Sequence, residues 1–149
     1  MLEAVCSNME HAAYVYTTGL DDDAVTDRLA GADHCVLALA DGDDAYAVPV
    51  STHYRDGRVL VRLSEHGDET KFDYLDATET ATLVFYDVDE DGDSWSVLLR
   101  GELAETETPD EATLDEWFGP FHLFDEAVPE VTFRIFELDA DAAVGRETV

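Results

Sequence analysis

Over much of its length the chain alternates apolar and polar residues in short stretches separated by turns rich in Gly and Asp. A period of two places every second side chain on one face of a strand. His34 to Ala40, Ala45 to Tyr54 and Arg58 to Ser64 follow this pattern. Tyr54-Arg55-Asp56-Gly57-Arg58 puts Asp-Gly where a two-residue hairpin needs positive φ. In the strand that follows, Val59, Val61 and Leu63 alternate with Arg58, Leu60 and Arg62, so Arg62 faces away from Val61 and Leu63. Thr80 to Asp87 and Ser94 to Ala104 are two further strands around an acidic turn at Asp91-Gly92, and Val131 to Leu138 is the sixth.

Three segments carry helical signals. Asp21 to Ala30 opens with carboxylates, which the positive end of a helix favours, and Leu20, Val25 and Leu29 share its inner face. Residues 69–77 predict a short helix. Thr108-Pro109-Asp110-Glu111 combines a Thr cap, Pro at the first helical position and Glu three residues after the cap, and this helix runs to about Phe118 before Gly119-Pro120. Residues 1–12 lack periodicity and are expected to form a loose arm on a single domain of 149 residues. Mostly antiparallel strands with short outer helices predict a mainly β protein, a small closed or nearly closed barrel.

Charge changes the picture of the surface. The chain has 36 acidic against 8 basic residues, a balance of −28. Low hydrophobicity with such a charge would mean disorder, but 46% of the residues are apolar and supply a core. The acid is spread through turns and helix faces, at Asp21 to Asp23, Asp41 to Asp44 and Asp87 to Asp93. Molar salt shortens the Debye length to ~3 Å and makes such self-repulsion tolerable, so the composition is that of a halophile's protein. Nucleic acid and anionic membranes, which demand a basic surface, are excluded as partners. Met1 to Val5 has no basic start of a signal peptide, and no run approaches the ~20 apolar residues of a membrane span. The expectation is a soluble, cytoplasmic protein.

Two cysteines, Cys6 and Cys35, are too few for a disulfide scaffold and carry no metal spacing; Cys35 is expected as a small buried hydrophobe. His11, His34, His53, His66 and His122 are scattered without metal-ligand spacing, so no metal is expected, and His66 has the best functional placement of them. The aromatic run Trp117 to Phe124 is expected to pack on the core after its helix. No acidic pair stands out as a catalytic dyad.

The informative chemistry is at Lys71, the only lysine, seven residues after Ser64 and at the head of the second helix. A lone Lys at a strand-to-helix junction of so acidic a chain marks an anion site, and a cofactor phosphate is the expected anion. Arg62, Leu63 and Ser64 arrive from the preceding strand, Thr70 and Lys71 from the helix start. Cations and hydroxyls there give charge-assisted hydrogen bonds, supported by helix-start amides. Pro49 lies inside a strand and marks an edge, a bulge or a break. A backbone edge freed there could pair with the pyrimidine side of a flat heterocycle.

The series Tyr46-Ala47-Val48-Pro49-Val50, Tyr54 to Val59, Ser64, Lys71 with Leu75, Thr80 to Phe85 and Ser94 to Glu102 resembles the pyridoxamine 5′-phosphate oxidase-like flavin-binding split barrels. The likeness is to the branch similar to nitroimidazole-resistance proteins, in a halophilic archaeal form, and covers roughly residues 20 to 140. It implies a six-stranded antiparallel split β-barrel, a homodimer, and FMN at each end of the subunit interface. By position, Val48, Pro49, Val50, Ser51 and Thr52 would line the flavin ring through their backbone. Arg62, Leu63 and Ser64 would meet the ribityl chain and phosphate, Thr70 and Lys71 would hold the phosphate, and Trp95 and Ser96 would approach from the partner.

Two departures limit the transfer. Gly67-Asp68-Glu69-Thr70-Lys71 replaces the Gly-Arg/Lys-Lys of many relatives, and Phe133-Arg134-Ile135-Phe136 lacks the Arg-x-His of the vitamin B6 oxidases. The expected function is an FMN-dependent oxidoreductase passing electrons or hydride to a small flat acceptor, and not a true pyridoxamine 5′-phosphate oxidase. No side chain is needed as acid or base. The alternatives are a reductase using the deazaflavin F420 in the same barrel, a non-catalytic flavin- or haem-binding protein, and an empty barrel used for assembly.

Overall fold

A computed structural model describes residues 17–65, 70–119 and 132–149. The elements in chain order are β1 (Thr17–Gly19), α1 (Asp22–Gly31), β2 (His34–Asp41), β3 (Asp44–Arg55), β4 (Arg58–Glu65), α2 (Thr70–Ala77), β5 (Ala81–Val88), β6 (Ser94–Thr106), α3 (Glu111–Phe118) and β7 (Thr132–Thr148). The strand order is β1-β7-β4-β3-β2-β5-β6, and β6 pairs again with β7. Six antiparallel strands thus close on themselves, while β1 adds outside, at the far end of β7. This is the expected barrel. Closure removes the exposed strand edges that invite aggregation.

The hairpin between β3 and β4 forms as its Asp-Gly predicts, with φ of 52° at Asp56 and 78° at Gly57. Alternation along β4 also holds: Val59, Val61 and Leu63 are buried and Arg62 turns outward, half-buried. Leu37, Leu83, Phe85, Val97, Leu99, Phe136 and Leu138 fill the same interior. Val25 and Leu29 from α1 and Phe72 from α2 join this core, and Leu20 packs against it from just before α1. A second cluster lies outside the barrel wall, where Leu114 and Phe118 of α3 pack on Leu60 and Ile135.

Two boundaries differ from expectation. β7 does not end at Leu138 but runs on to Thr148, because Ile135 to Glu147 pairs with β6 along its length. Ala and Asp are poor strand formers, so only that ladder holds Asp139 to Ala143 extended. The ladder carries one bulge: Gly101 opposes Ala140 while Arg100 opposes Ala142. A Cβ on Gly101 would stand 1.9 Å from the Asp139 carbonyl oxygen, so the close approach requires glycine. The cap of α3 is Asp110, whose carboxylate accepts from Thr113 N at 2.8 Å, and not Thr108. The Thr108 hydroxyl donates to the Phe133 carbonyl at 3.4 Å instead, and Pro109 precedes the helix.

Among the described residues no helix is long and apolar enough to cross a membrane. The expected arm over residues 1–12, Cys6, His11, His66, residues 67–69, His122 and the aromatic stretch after Gly119 lie outside the described residues.

Candidate functional site

The site begins where β3 and β4 part. Thr52 N donates to the Asp33 carbonyl at 3.0 Å, toward β2. In an antiparallel strand the backbone groups of successive residues face opposite edges, so Val48 and Val50 also face β2, while Pro49 and Ser51 face β4. The β3–β4 ladder ends at the Ser51↔Arg62 pair. Pro49, opposite Val36 of β2, therefore turns its missing N–H into the split, where no ladder bond is lost. Of the three readings of Pro49, the structure selects the break in pairing. The Pro49 carbonyl and both backbone groups of Ala47 face the same opening.

β4 continues past the split to Glu65, and α2 brings Lys71 back to it. Lys71 Nζ donates to Ser64 Oγ at 3.2 Å and lies 5.7 Å from the centre of the Phe72 ring. The placement of α2 explains this meeting. The Tyr74 ring stacks on Tyr46 of β3 at 4.9 Å, and its hydroxyl donates to Asp44 at 2.7 Å. At the other end of the helix, Thr78 Oγ1 donates to the Ala40 carbonyl and accepts from Ala40 N. Beneath the helix, Phe72 is buried under the Arg134 guanidinium, 4.4 Å above its ring, and Arg134 in turn donates to both oxygens of Glu105. That ion pair holds the Glu105 carboxyl below its ordinary range.

The expected residues divide by face. Pro49, Ser51, Arg62 and Ser64 lie outside the barrel; Val50, Thr52 and Leu63 point into the core with 8%, 2% and 2% exposure. Their side chains are unavailable to a ligand, and the Thr52 N–H is committed to Asp33. The Thr52 hydroxyl has no hydrogen-bond partner among the described residues. Val48 is half-buried against the core, and Thr70 is exposed at the head of α2. Arg62 donates from Nη1 to the Gly119 carbonyl at 3.3 Å, with its guanidinium 5.3 Å from the Phe118 ring centre and 4.8 Å from that of Phe133. Burial pushes its pKa down, opposed by Asp115.

Trp95 and Ser96 stand elsewhere in the chain. Arg28 lies 5.0 Å over the Trp95 ring and 3.7 Å from Glu147, and Ser96 pairs with Tyr86 and Arg146. Within one chain they do not join Ser64 and Lys71. From the split, an apolar row crosses the outer wall in register: Pro49↔Val36, Val36↔Val84, Val84↔Leu98 and Leu98↔Val144. Leu98 and Val144 are 38% and 57% exposed.

Sequence reasoning missed a second aromatic group. His53 stacks on Trp117 at 5.4 Å, and Arg55 lies 5.2 Å over the same indole. Burial, and then Arg55, lowers the His53 pKa. Residues so far apart in the chain carry no local signal of meeting. Cys35 is buried as expected, its thiol pushed up to about 12 by burial. Among the described residues no group of His, Cys, Asp and Glu could hold a metal ion.

The family profile described as pyridoxamine 5′-phosphate oxidase matches residues 21–126. No protein of curated function matches the sequence. Among solved structures, a candidate pyridoxamine 5′-phosphate oxidase from Corynebacterium glutamicum is similar at 17% identity over 89% of this chain and 93% of its own, with a TM-score of 0.64. An FAD-binding protein from Mesorhizobium loti is similar at 18% identity over 89% of this chain and 99% of its own, with a TM-score of 0.63. A candidate 5-nitroimidazole antibiotic resistance protein from Bacteroides thetaiotaomicron is similar at 18% identity over 89% and 87%, with a TM-score of 0.61. At these identities the likeness is one of fold.

Proposed function

Because the chain belongs to the pyridoxamine 5′-phosphate oxidase family, we propose that it is a flavin-binding protein with FMN as its cofactor, and an oxidoreductase whose acceptor is a small flat molecule. The observation that carries this reading is the Lys71 to Ser64 hydrogen bond beside the opened β3 edge at Pro49. One end of the site offers a cation and a hydroxyl for a phosphate, with the head of α2 beside them. The other offers backbone donors and acceptors facing a slot, which suits the polar edge of a flat heterocycle. A single lysine and a single serine suit one phosphate, which favours FMN over the FAD bound by the Mesorhizobium loti relative.

When bound, the flavin would supply the redox chemistry at its ring nitrogen N5. The chain's own residues would bind and orient it: Lys71 and Ser64 through the phosphate, Arg62 through its guanidinium, and the backbone groups of Ala47 and Pro49 that face the opening along the ring.

The same reading makes the protein a cytoplasmic homodimer of a halophile, with the cofactor at the subunit interface. The apolar row from Pro49 to Val144 supports a second copy as its cover, since in a chain of net charge −28 it is a stretch of wall that two copies could share without repulsion. Sedimentation in molar KCl should give twice the 16.5 kDa monomer mass.

The test is to purify the protein at high salt, identify any released small molecule by mass, and titrate the apoprotein with FMN and FAD. Flavin absorption with preference for FMN supports the proposal. A Soret band points to the haem alternative and a deazaflavin fluorescence to F420. Failure to take up any of them leaves the assembly reading.

A further inference from the structure

Not every arginine of this molecule is ion-paired among the described residues, and Arg146 and the exposed Arg100 are two that are not. Arg28, Arg55, Arg58 and Arg134 each pair with a carboxylate. Arg146 has none among the described residues, although the chain carries 36 acidic residues. It is held instead by one uncharged residue of β1: Nε donates to Thr17 Oγ1 at 2.9 Å and Nη2 to the Thr17 carbonyl at 2.8 Å. Two anchors fix the plane of the guanidinium, and among the described residues no carboxylate compensates its charge and no hydrogen bond takes the N–H groups of Nη1.

The surroundings match. Tyr86, Ser96 and Arg146 are directly paired across β5, β6 and β7, so their side chains share the outer face. With Thr17, Val88 and Ser94 they line a cleft of about 190 Å³, room for one substituted aromatic ring. Tyr86 is 62% exposed and presents its ring there. Three other clefts among the described residues are each lined by three or more carboxylates, and this one by none. A surface of net charge −28 repels anions, so a carboxylate-free cleft with a preset arginine is a place where an anion is admitted.

We propose that Tyr86, Ser96 and Arg146 form the acceptor subsite, a shelf for a flat ring bearing one carboxylate or similarly planar anionic group. Arg146 binds the anion through its planar fork, and Tyr86 covers the ring. The assignment to an acceptor rests on the flavin reading above, in which the neighbouring Trp95 and Ser96 approach the partner's cofactor; the anion shelf itself does not. Ser96 would then serve both, since the shelf is one register step beyond the apolar row.

The test uses the apoprotein at fixed molar KCl, with benzoate and its neutral isostere benzamide as probes, followed by saturation-transfer NMR and calorimetry. Wild type should bind benzoate at least about tenfold more tightly than benzamide. Arg146→Met should reduce benzoate to the benzamide level, Arg146→Lys should recover part of the difference, and Tyr86→Ala should weaken both probes. Thr17→Val, which removes one anchor, should give an intermediate loss for benzoate alone. Equal binding of the two probes by wild type, or benzoate binding indifferent to Arg146→Met, overturns the shelf. A dimer that dissociates in Arg146→Met without any change in probe binding also overturns it, and assigns Arg146 to an ion pair between subunits. No flavin is needed, so a protein that takes up FMN yet fails here loses only the subsite. In a flavin-loaded protein, Arg146→Met should raise KM for a carboxylate-bearing acceptor far more than it lowers kcat.

Discussion

Lys71 donates to Ser64 across 3.2 Å, joining the head of α2 to the end of β4 at the mouth of the split. The contact puts the chain's only lysine beside a hydroxyl and an opened backbone edge. If it serves a phosphate, Lys71→Met should leave the fold intact and weaken FMN. Losing one charge-assisted bond of ~1.5–3 kcal/mol corresponds to roughly a ten- to hundredfold rise in Kd. Riboflavin, which has no phosphate, should bind both proteins alike. Titration of both ligands at fixed salt decides it; equal FMN affinity in the variant would make Lys71 a structural partner of Ser64 only.

Gly101→Ala should destabilise the protein by ~1–3 kcal/mol or more, because the added Cβ meets the Asp139 carbonyl at 1.9 Å and the backbone at the bulge must move. Gly31→Ala, with nothing within 4 Å of its new Cβ, is the control and should change little. Denaturant unfolding measures both. Similar stabilities would mean the β6–β7 register differs from the one described.

Thr52→Val should be neutral or stabilising by about 1 kcal/mol, since it removes a buried hydroxyl that has no partner among the described residues and nearly preserves shape. A clear loss of melting temperature would show that Oγ1 has a partner after all.

His53 titrates below its ordinary value of 6.5 because burial and the neighbouring Arg55 oppose its charge. A group with a depressed folded pKa gives stability that is full above the unfolded value and is lost as pH falls through the folded one. The melting-temperature difference between wild type and His53→Gln should therefore be constant above about pH 6.5 and shrink below it. A difference that grows on acidification would mean that the folded state prefers the charged ring.

Unfolding temperature should rise with KCl from low to molar concentration, as the Debye length falls from ~30 Å at 0.01 M to ~3 Å at 1 M and the acidic surface stops repelling itself. A flat profile would remove the halophile reading.

Much of the barrel was legible because strand alternation is local. The β3–β4 hairpin needed only Asp56-Gly57 and its flanks, and the sidedness of Val61, Arg62 and Leu63 only the period of two. The Lys71 signal was likewise compositional: one lysine in an acidic chain.

What tertiary structure alone decided was which edges meet. Asp139 to Thr148 has little strand character of its own and becomes a strand because β6 pairs with it. Thr108 and Asp110 are both plausible caps, and the choice fell to Asp110 because the Thr108 hydroxyl is bonded to β7. Pro49 could mark any interruption until the Thr52 to Asp33 bond set which way its nitrogen faces. Likewise, nothing local relates Tyr86 to Arg146; they become neighbours of Ser96 only once the strands are in register. Periodicity reports the face a residue buries, whereas partner and register depend on contacts between distant segments that only the closed barrel brings together.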